Sequence, residues 1–198
     1  MEEIIVIILA YLFGSIPFGY LLVKLSDSDK DIREIGSGNM GATNVKRALG
    51  WTGALIIFLL DMLKGAIPIW LARDVFHFNP WIVVIVGIFA IGGHLFPVFL
   101  SFHGGKGVST AGGTFLVLNP IALVGAIIVW AIIYGVTKYS SLGSLLAAAT
   151  LTTIQISNSV AWGDNLSVTV FTIITILVIL YKHWENIERL LKGQEKKA

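Results

Sequence analysis

Three stretches of this chain carry residues able to hold a small charged molecule. The first is Gly36-Ser37-Gly38-Asn39-Met40-Gly41-Ala42-Thr43-Asn44-Val45-Lys46-Arg47. Glycines there permit positive φ and close backbone approach to a ligand. Ser37, Asn39, Thr43 and Asn44 are short hydrogen-bonding side chains. Residues 41–49 can form one short helix whose N-terminus offers N–H groups to an anion. Asn44 and Arg47 are three apart and share a face of it. The second stretch is His94-Leu95-Phe96-Pro97 followed by His103-Gly104-Gly105-Lys106-Gly107-Val108-Ser109-Thr110. A Gly-rich turn, a Lys and hydroxyls at a helix start suit phosphate: backbone N–H groups cradle the oxygens and Lys supplies a point charge. The third combines Lys138-Tyr139-Ser140-Ser141-Leu142-Gly143-Ser144 with His183-Trp184-Glu185-Asn186-Ile187-Glu188-Arg189-Leu190, where His183 and Asn186 share a helical face. Each stretch also has a plain reading: a polar connecting loop, a flexible hinge, and an amphipathic helix lying on a membrane.

Several chemistries drop out. There is no Cys, hence no disulfide, zinc–thiolate site or thiol nucleophile. The second stretch is not a Walker A loop, since Gly107 follows Lys106 where that motif needs Ser or Thr. No G-x-S-x-G elbow occurs. His94, His103 and His183 have no metal-ligand spacing. The chain is therefore expected to use no metal and no cofactor, and to form no covalent intermediate on a side chain. What remains looks built for phosphate next to lipid.

The elements that must position these residues are membrane helices. Of 198 residues, 56% are hydrophobic and 13% charged, about half the charge of an average soluble domain. Mean hydropathy is +0.83. Net charge is only +2 and names no partner; nucleic acid is not expected as one. The start, Met1-Glu2-Glu3, lacks the basic residues of a signal peptide, so the first apolar segment is expected to stay. A membrane helix needs about 20 apolar residues. Spans are expected near 4–23, 51–72, 81–101, 120–137, 143–160 and 166–182. A seventh apolar segment, 108–118, is short and Gly-flanked; it crosses only with help from its flanks, or is re-entrant. Irregular backbone at membrane depth is tolerated only inside protein or beside a wet cavity, so this segment points to a site.

Charge then gives orientation. With seven crossings, one side holds Lys24, Lys30, Arg33, Lys46, Arg47, Lys106, Lys138, Lys182, Arg189, Lys192, Lys196 and Lys197, and the other Arg73 alone. By the positive-inside rule the N-terminus faces outward and the C-terminus the cytoplasm. With six crossings that asymmetry collapses. Trp51, Trp70, Trp81, Trp162 and Trp184 fall near span ends, as an aromatic belt does, and Trp130 does not. Small residues four apart (Ser15 with Gly19, Gly143 with Ala147, Ser144 with Ala148) suit close helix packing. Asp61 and Lys64, three apart within the second span, read as a structural ion pair. Residues after Gly193 read as a frayed, solvated tail. The chain reads as one polytopic domain, 1–198, of all-α class.

The three stretches closely resemble the bacterial acyl phosphate:glycerol-3-phosphate acyltransferase family. The likeness extends over essentially the whole chain, including Asp61-Met62-Leu63-Lys64-Gly65 and Ser141-Leu142-Gly143-Ser144. One departure is Ser109, where alanine is common. The H-x-x-x-x-D motif of acyl-CoA-type glycerophosphate acyltransferases is absent: position 188 is Glu. The resemblance implies seven membrane helices, an outward N-terminus and a site at the cytoplasmic face of the bacterial inner membrane. It implies transfer of a fatty acyl group from acyl phosphate to the 1-hydroxyl of glycerol 3-phosphate, giving lysophosphatidic acid and phosphate. On that footing Gly104, Gly105, Gly107, Ser109 and Thr110 would take the donor head. Ser37, Arg47 and His183 would serve glycerol 3-phosphate, with Gly36, Gly38, Asn39, Thr43 and Asn44 shaping that site. Lys106 would serve either phosphate, and Asn186 and Ser144 would orient the reacting groups. A soluble enzyme that makes the donor is a conceivable docking partner.

Two other readings fit less well. A small anion or phosphate transporter also uses broken helices, but predicts polar residues on both sides and a mid-membrane site. A non-catalytic lipid-binding or scaffolding protein predicts that Lys106 and Arg47 are dispensable.

Overall fold

The computed structural model describes residues 1–27, 29–162 and 166–197; Trp162 contributes backbone only. Among them there is no strand. The described residues form nine α-helices in order: α1 Glu2–Gly14, α2 Phe18–Ser26, α3 Ala42–Trp70, α4 Pro80–Leu95, α5 Val108–Leu118, α6 Pro120–Thr137, α7 Ser140–Trp162, α8 Leu166–Lys182 and α9 Trp184–Leu191. The chain divides into two compact units, Met1–Thr114 and Phe115–Ala198.

Among the described residues, four segments are long and apolar enough to cross a membrane: Glu2–Ser26, Ala42–Val75, Pro80–Leu100 and Pro120–Thr137. A fifth is the pair Leu166–Lys182 and Trp184–Leu191, bent by 59°. The 23-residue α7 is not among them; Thr150, Thr152, Thr153, Gln155, Ser157, Asn158 and Ser159 dilute its apolar character. The short helix Val108–Leu118 forms where the sequence places it.

Local chemistry sets the helix ends. α4 and α6 both start at an Asn-Pro step. Asn79 accepts the Trp81 N–H at 2.9 Å, and Asn119 accepts the Ala122 N–H at 3.0 Å. Proline follows at the first helical position, where no N–H is needed. Gly50, at φ 70° and ψ −167°, separates 42–49 from the long remainder of α3. That is the short helix and the following span expected from the sequence.

The first expected span differs. It breaks at Ser15-Ile16-Pro17, because Pro17 has no N–H for the ladder and disfavours helical geometry at Ile16. The Ile16 carbonyl freed by the break is not left bare: it accepts the Phe18 N–H at 3.0 Å and the Lys64 ammonium at 3.2 Å.

In the first unit, glycines set how closely helices approach. A methyl group at Gly14 would strike the Ala90 carbonyl, and one at Gly93 the Tyr11 carbonyl, so α1 and α4 touch backbone to backbone. Gly65 and Gly113 do the same for α3 and α5, against Thr110 and Met62. Gly19 sits against the Met40 carbonyl, so its small size serves a loop rather than a helix partner. Val23, Ile32, Met40, Val45 and Ile57 form a buried cluster that ties the 27–41 loop to α2 and α3.

In the second unit, α6 packs on α7. Ala122, Leu123 and Ala126 are buried, while Ile121, Val124, Ile128, Ile132 and Val136 form an exposed apolar stripe. An apolar outward stripe of this length fits lipid and not water. Gly143 lies against the Trp130 ring, which stacks on Tyr134. Asn119 donates to Gln155 at 2.7 Å across the α6–α7 contact.

Trp51, Trp70, Trp81 and Trp184 are exposed at helix ends, as an interfacial belt requires. Trp162's side chain lies outside the described residues.

Candidate active site

In the first unit the 36–47 stretch is a shaped loop running into a helix. Gly36 and Gly38 have φ of 57° and 69°, the left-handed region that glycine enters without strain. Asn39 accepts the Gly41 N–H at 2.8 Å in a local turn. Gly41 precedes α3 and brings no side-chain oxygen to cap it. Asn44 organises this loop. It is 1% exposed, donates to the Ile32 and Ile35 carbonyls at 3.1 and 2.8 Å, and accepts from the Ser37 N–H at 3.1 Å. The same oxygen takes Arg47 Nη1 at 3.3 Å. Asn44 therefore spends its amide on the protein and holds Arg47 half-buried beside Gly36. Ser37 stays exposed, and Asn39 and Thr43 are half-buried.

The second stretch, also in the first unit, is a turn seated on the end of α4. The Gly105 N–H donates to the His94 carbonyl at 3.0 Å. A side chain on Gly104 would strike that carbonyl and Pro97; one on Gly105 would strike the His94 ring. Gly107 has φ 80° and leads into α5, with its carbonyl accepting the Ala111 N–H at 2.8 Å. Lys106 and Ser109 are half-buried, so the turn is firmly placed and yet reachable. Thr110 is fully buried, and its hydroxyl has no hydrogen-bond partner. His103 is exposed, with Nδ1 2.7 Å from the Ser101 carbonyl.

In the second unit, His183 stands at the bend between α8 and α9 and is 3% exposed. Its Nδ1 lies 2.8 Å from the Ile179 carbonyl. A carbonyl only accepts, so Nδ1 carries the hydrogen and Nε2 is the basic nitrogen of the neutral ring. Asn186, one turn on, and Ser144 are also buried. The chain end is not the free tail the sequence suggested. Glu195 accepts from Ser141 Oγ at 2.8 Å, Asn186 Nδ2 at 2.6 Å and Arg189 Nε at 2.8 Å. Burial raises the Glu195 pKa, but the hydrogen bonds from Arg189, Asn186 and Ser141 outweigh it and hold the group below 4.5. Sequence reasoning missed Glu195 and the Ile179 carbonyl.

Set against known proteins, residues 4–193 match the family model described as glycerol-3-phosphate acyltransferase. A glycerol-3-phosphate acyltransferase of Geobacter sulfurreducens is 42% identical over 198 residues, covering all of this chain and 98% of its own. The chain belongs to the glycerol-3-phosphate acyltransferase family. A second acyltransferase of that name, from Aquifex aeolicus, is 40% identical, covering 98% of each chain. Among solved structures, the chain resembles PlsY (YgiH), an integral membrane glycerol 3-phosphate acyltransferase, in its glycerol 3-phosphate form. The TM-score is 0.93 at 38% identity, covering all of this chain and 96% of that one. The lysophosphatidic acid form of PlsY gives 0.90. With its long apolar helices, this acyltransferase-family chain is a multi-pass membrane protein.

Proposed function

We propose that the chain transfers a fatty acyl group from acyl phosphate to the 1-hydroxyl of sn-glycerol 3-phosphate. The observation that carries this reading is the Gly104–Gly107 turn: three glycines and a half-buried Lys106, seated on the end of α4 and leading into α5. Such a turn suits a phosphate bound to a chain that lies in the membrane.

Acyl phosphate is a mixed anhydride, so phosphate is already a good leaving group. The acceptor oxygen bonds to the acyl carbon, and the bond from that carbon to the phosphate oxygen breaks. The hydroxyl proton passes to the departing phosphate. No side chain needs to be acylated; holding alcohol and carbonyl in register supplies several kcal/mol of the barrier reduction. Lys106 steadies charge on the donor phosphate, with the turn and Ser109 around it. Ser37 and Arg47 are assigned to the acceptor phosphate. From their chemistry, His183 binds the acceptor, while Asn186 and Ser144 orient reacting groups.

The positive-inside count supports seven crossings, an outward N-terminus and a site facing the cytoplasm of a bacterial inner membrane. The basic cytoplasmic face offers a place for a soluble donor-making enzyme.

The test is purified protein in detergent with palmitoyl phosphate and glycerol 3-phosphate, following phosphate and lysophosphatidic acid. Turnover that needs both substrates and vanishes in Lys106→Ala is expected. Equal phosphate release without the acceptor would make the protein a phosphatase-like lipid enzyme. No turnover by folded protein would favour an anion transporter.

A further inference from the structure

Asp61 and Lys64 do more than face one another. The Lys64 ammonium is 2.8 Å from Asp61 Oδ1, and both side chains are about as buried as any in the molecule, at 3% and 2% exposure. The same Asp61 oxygen lies 3.7 Å from Nδ1 of His94, also buried. On its other side the His94 ring presses on the Gly105 backbone: a methyl group there would overlap Nε2 and lie 2.8 Å from Cε1. Residues of this cluster and the turn, with the α1–α2 break, line one small cavity of about 10 Å³. A continuous path thus runs from the Ile16 carbonyl through Lys64, Asp61 and His94 to Gly105, the residue before Lys106.

A pair serving only to hold helices together is a costly device, since burying two charges often stabilises no better than apolar packing. An intramembrane ion pair is a functional candidate for that reason. Here its far end touches the one turn whose geometry matters most. The geometry points to His94 as a positioning residue: its ring, oriented by the Asp61–Lys64 pair, sets the seat of the Gly104–Gly107 turn and so the stance of Lys106. This inference rests on the proposed reading of that turn as the donor-phosphate cradle.

The logic is one of fit. Nδ1 faces Asp61 on α3 at 3.7 Å, an electrostatic contact rather than a hydrogen bond, and the opposite edge of the ring is presented to Gly105. Only a residue without Cβ lets the backbone rest there. Displacing the turn moves Lys106 away from the donor phosphate it is to hold, which weakens donor binding.

The experiment measures KM for acyl phosphate, KM for glycerol 3-phosphate and kcat in His94→Gln, Asp61→Asn, Gly105→Ala and the double variant His94→Ala with Gly105→Ala. Each single variant is expected to raise the donor KM by about tenfold or more while the acceptor KM stays within about twofold. The double variant is expected to be less impaired than Gly105→Ala alone, because removing the ring makes room for the methyl group. The inference is overturned if His94→Gln and Asp61→Asn leave the donor KM unchanged, or if both KM values rise together. It is equally overturned if the double variant is as impaired as Gly105→Ala or worse. Should Asp61→Asn fail to fold, Gly105→Ala and its pairing with His94→Ala decide, since both leave the Asp61–Lys64 pair intact. Lys106→Ala separates the two levels. If it leaves donor KM and turnover untouched, the cradle reading falls and this inference with it. If it impairs the donor while the His94 series does not, only the positioning role is lost.

Discussion

His183 has one ring nitrogen committed to the Ile179 carbonyl. A backbone carbonyl fixes the tautomer but does not stabilise an imidazolium as a carboxylate would. That favours a binding role over proton abstraction. His183→Gln is expected to raise KM for glycerol 3-phosphate while kcat at saturation falls by less than about tenfold; a loss in the range of roughly 10²–10⁴, typical of a missing general base, would make His183 the base. Asn44 makes a different prediction. Its replacement by Ala strips partners from two carbonyls and the Ser37 N–H, which costs about 1–3 kcal/mol for each buried group left unpaired. A drop in the melting temperature of the detergent-solubilised protein, with activity lost through Arg47, is the expected outcome. Glu195 adds a pH prediction. Its folded pKa is depressed, so its contribution is full above its ordinary value of 4.5 and is lost as pH falls through the folded value. Backbone NMR relaxation of 193–197 is expected to show the tail ordered at about pH 6 and progressively loosened as the pH is lowered below 4.5, and loosened throughout in Glu195→Gln. At this scale the sequence was half legible. Residue types gave the phosphate chemistry of Lys106 and Arg47. They did not give partners: Ser141 and Glu195 are 54 positions apart, and nothing local in a Lys-rich end marks the Glu as held.

At the scale of elements, breaks matter more than helices. The break at Gly50 and the short Val108–Leu118 segment were legible because glycines and an Asn-Pro step interrupt the hydropathy there. The break at 15–17 was not, since Ile16 and Phe18 keep the segment apolar and Pro17 alone signalled it. Helix spacing gives a sharp test. Gly65 rests on the Thr110 backbone, so Gly65→Ala must push α3 from α5, and overpacking of this kind costs about 1–3 kcal/mol. Gly135, within α6, has nothing within 4 Å of an added Cβ. Gly135→Ala is expected to be neutral or to raise the melting temperature slightly, since Gly in a helix costs about 0.5–1 kcal/mol relative to Ala. Equal melting losses in the two variants would show that glycine content, rather than close backbone approach, governs the packing.

At the scale of the whole molecule, the question is which side each end faces. Val108–Leu118 has 11 residues, a rise of about 16 Å against a hydrocarbon core of about 30 Å. Alone it is too short to cross. It is flanked, however, by the Gly104–Gly107 turn and by Asn119-Pro120, and irregular backbone can extend a crossing if protein or water covers it. The two topologies distribute charge differently. With seven crossings, twelve of the fourteen Lys and Arg fall on one side and only Arg73 on the other, Lys64 being inside a span. With six, the basic tail joins Arg73. The chain has no Cys, so single cysteines can be placed without clearing a background. His77→Cys and Gln194→Cys are the informative pair. His77 sits beyond α3, and Gln194 is exposed past α9. In right-side-out vesicles, a membrane-impermeant maleimide is expected to label the first and to reach the second only after lysis. Labelling of both from one side would mean that Val108–Leu118 dips into the membrane and returns. The positive-inside count would then have misled, and Lys106 would lie on the face opposite to the chain's C-terminus.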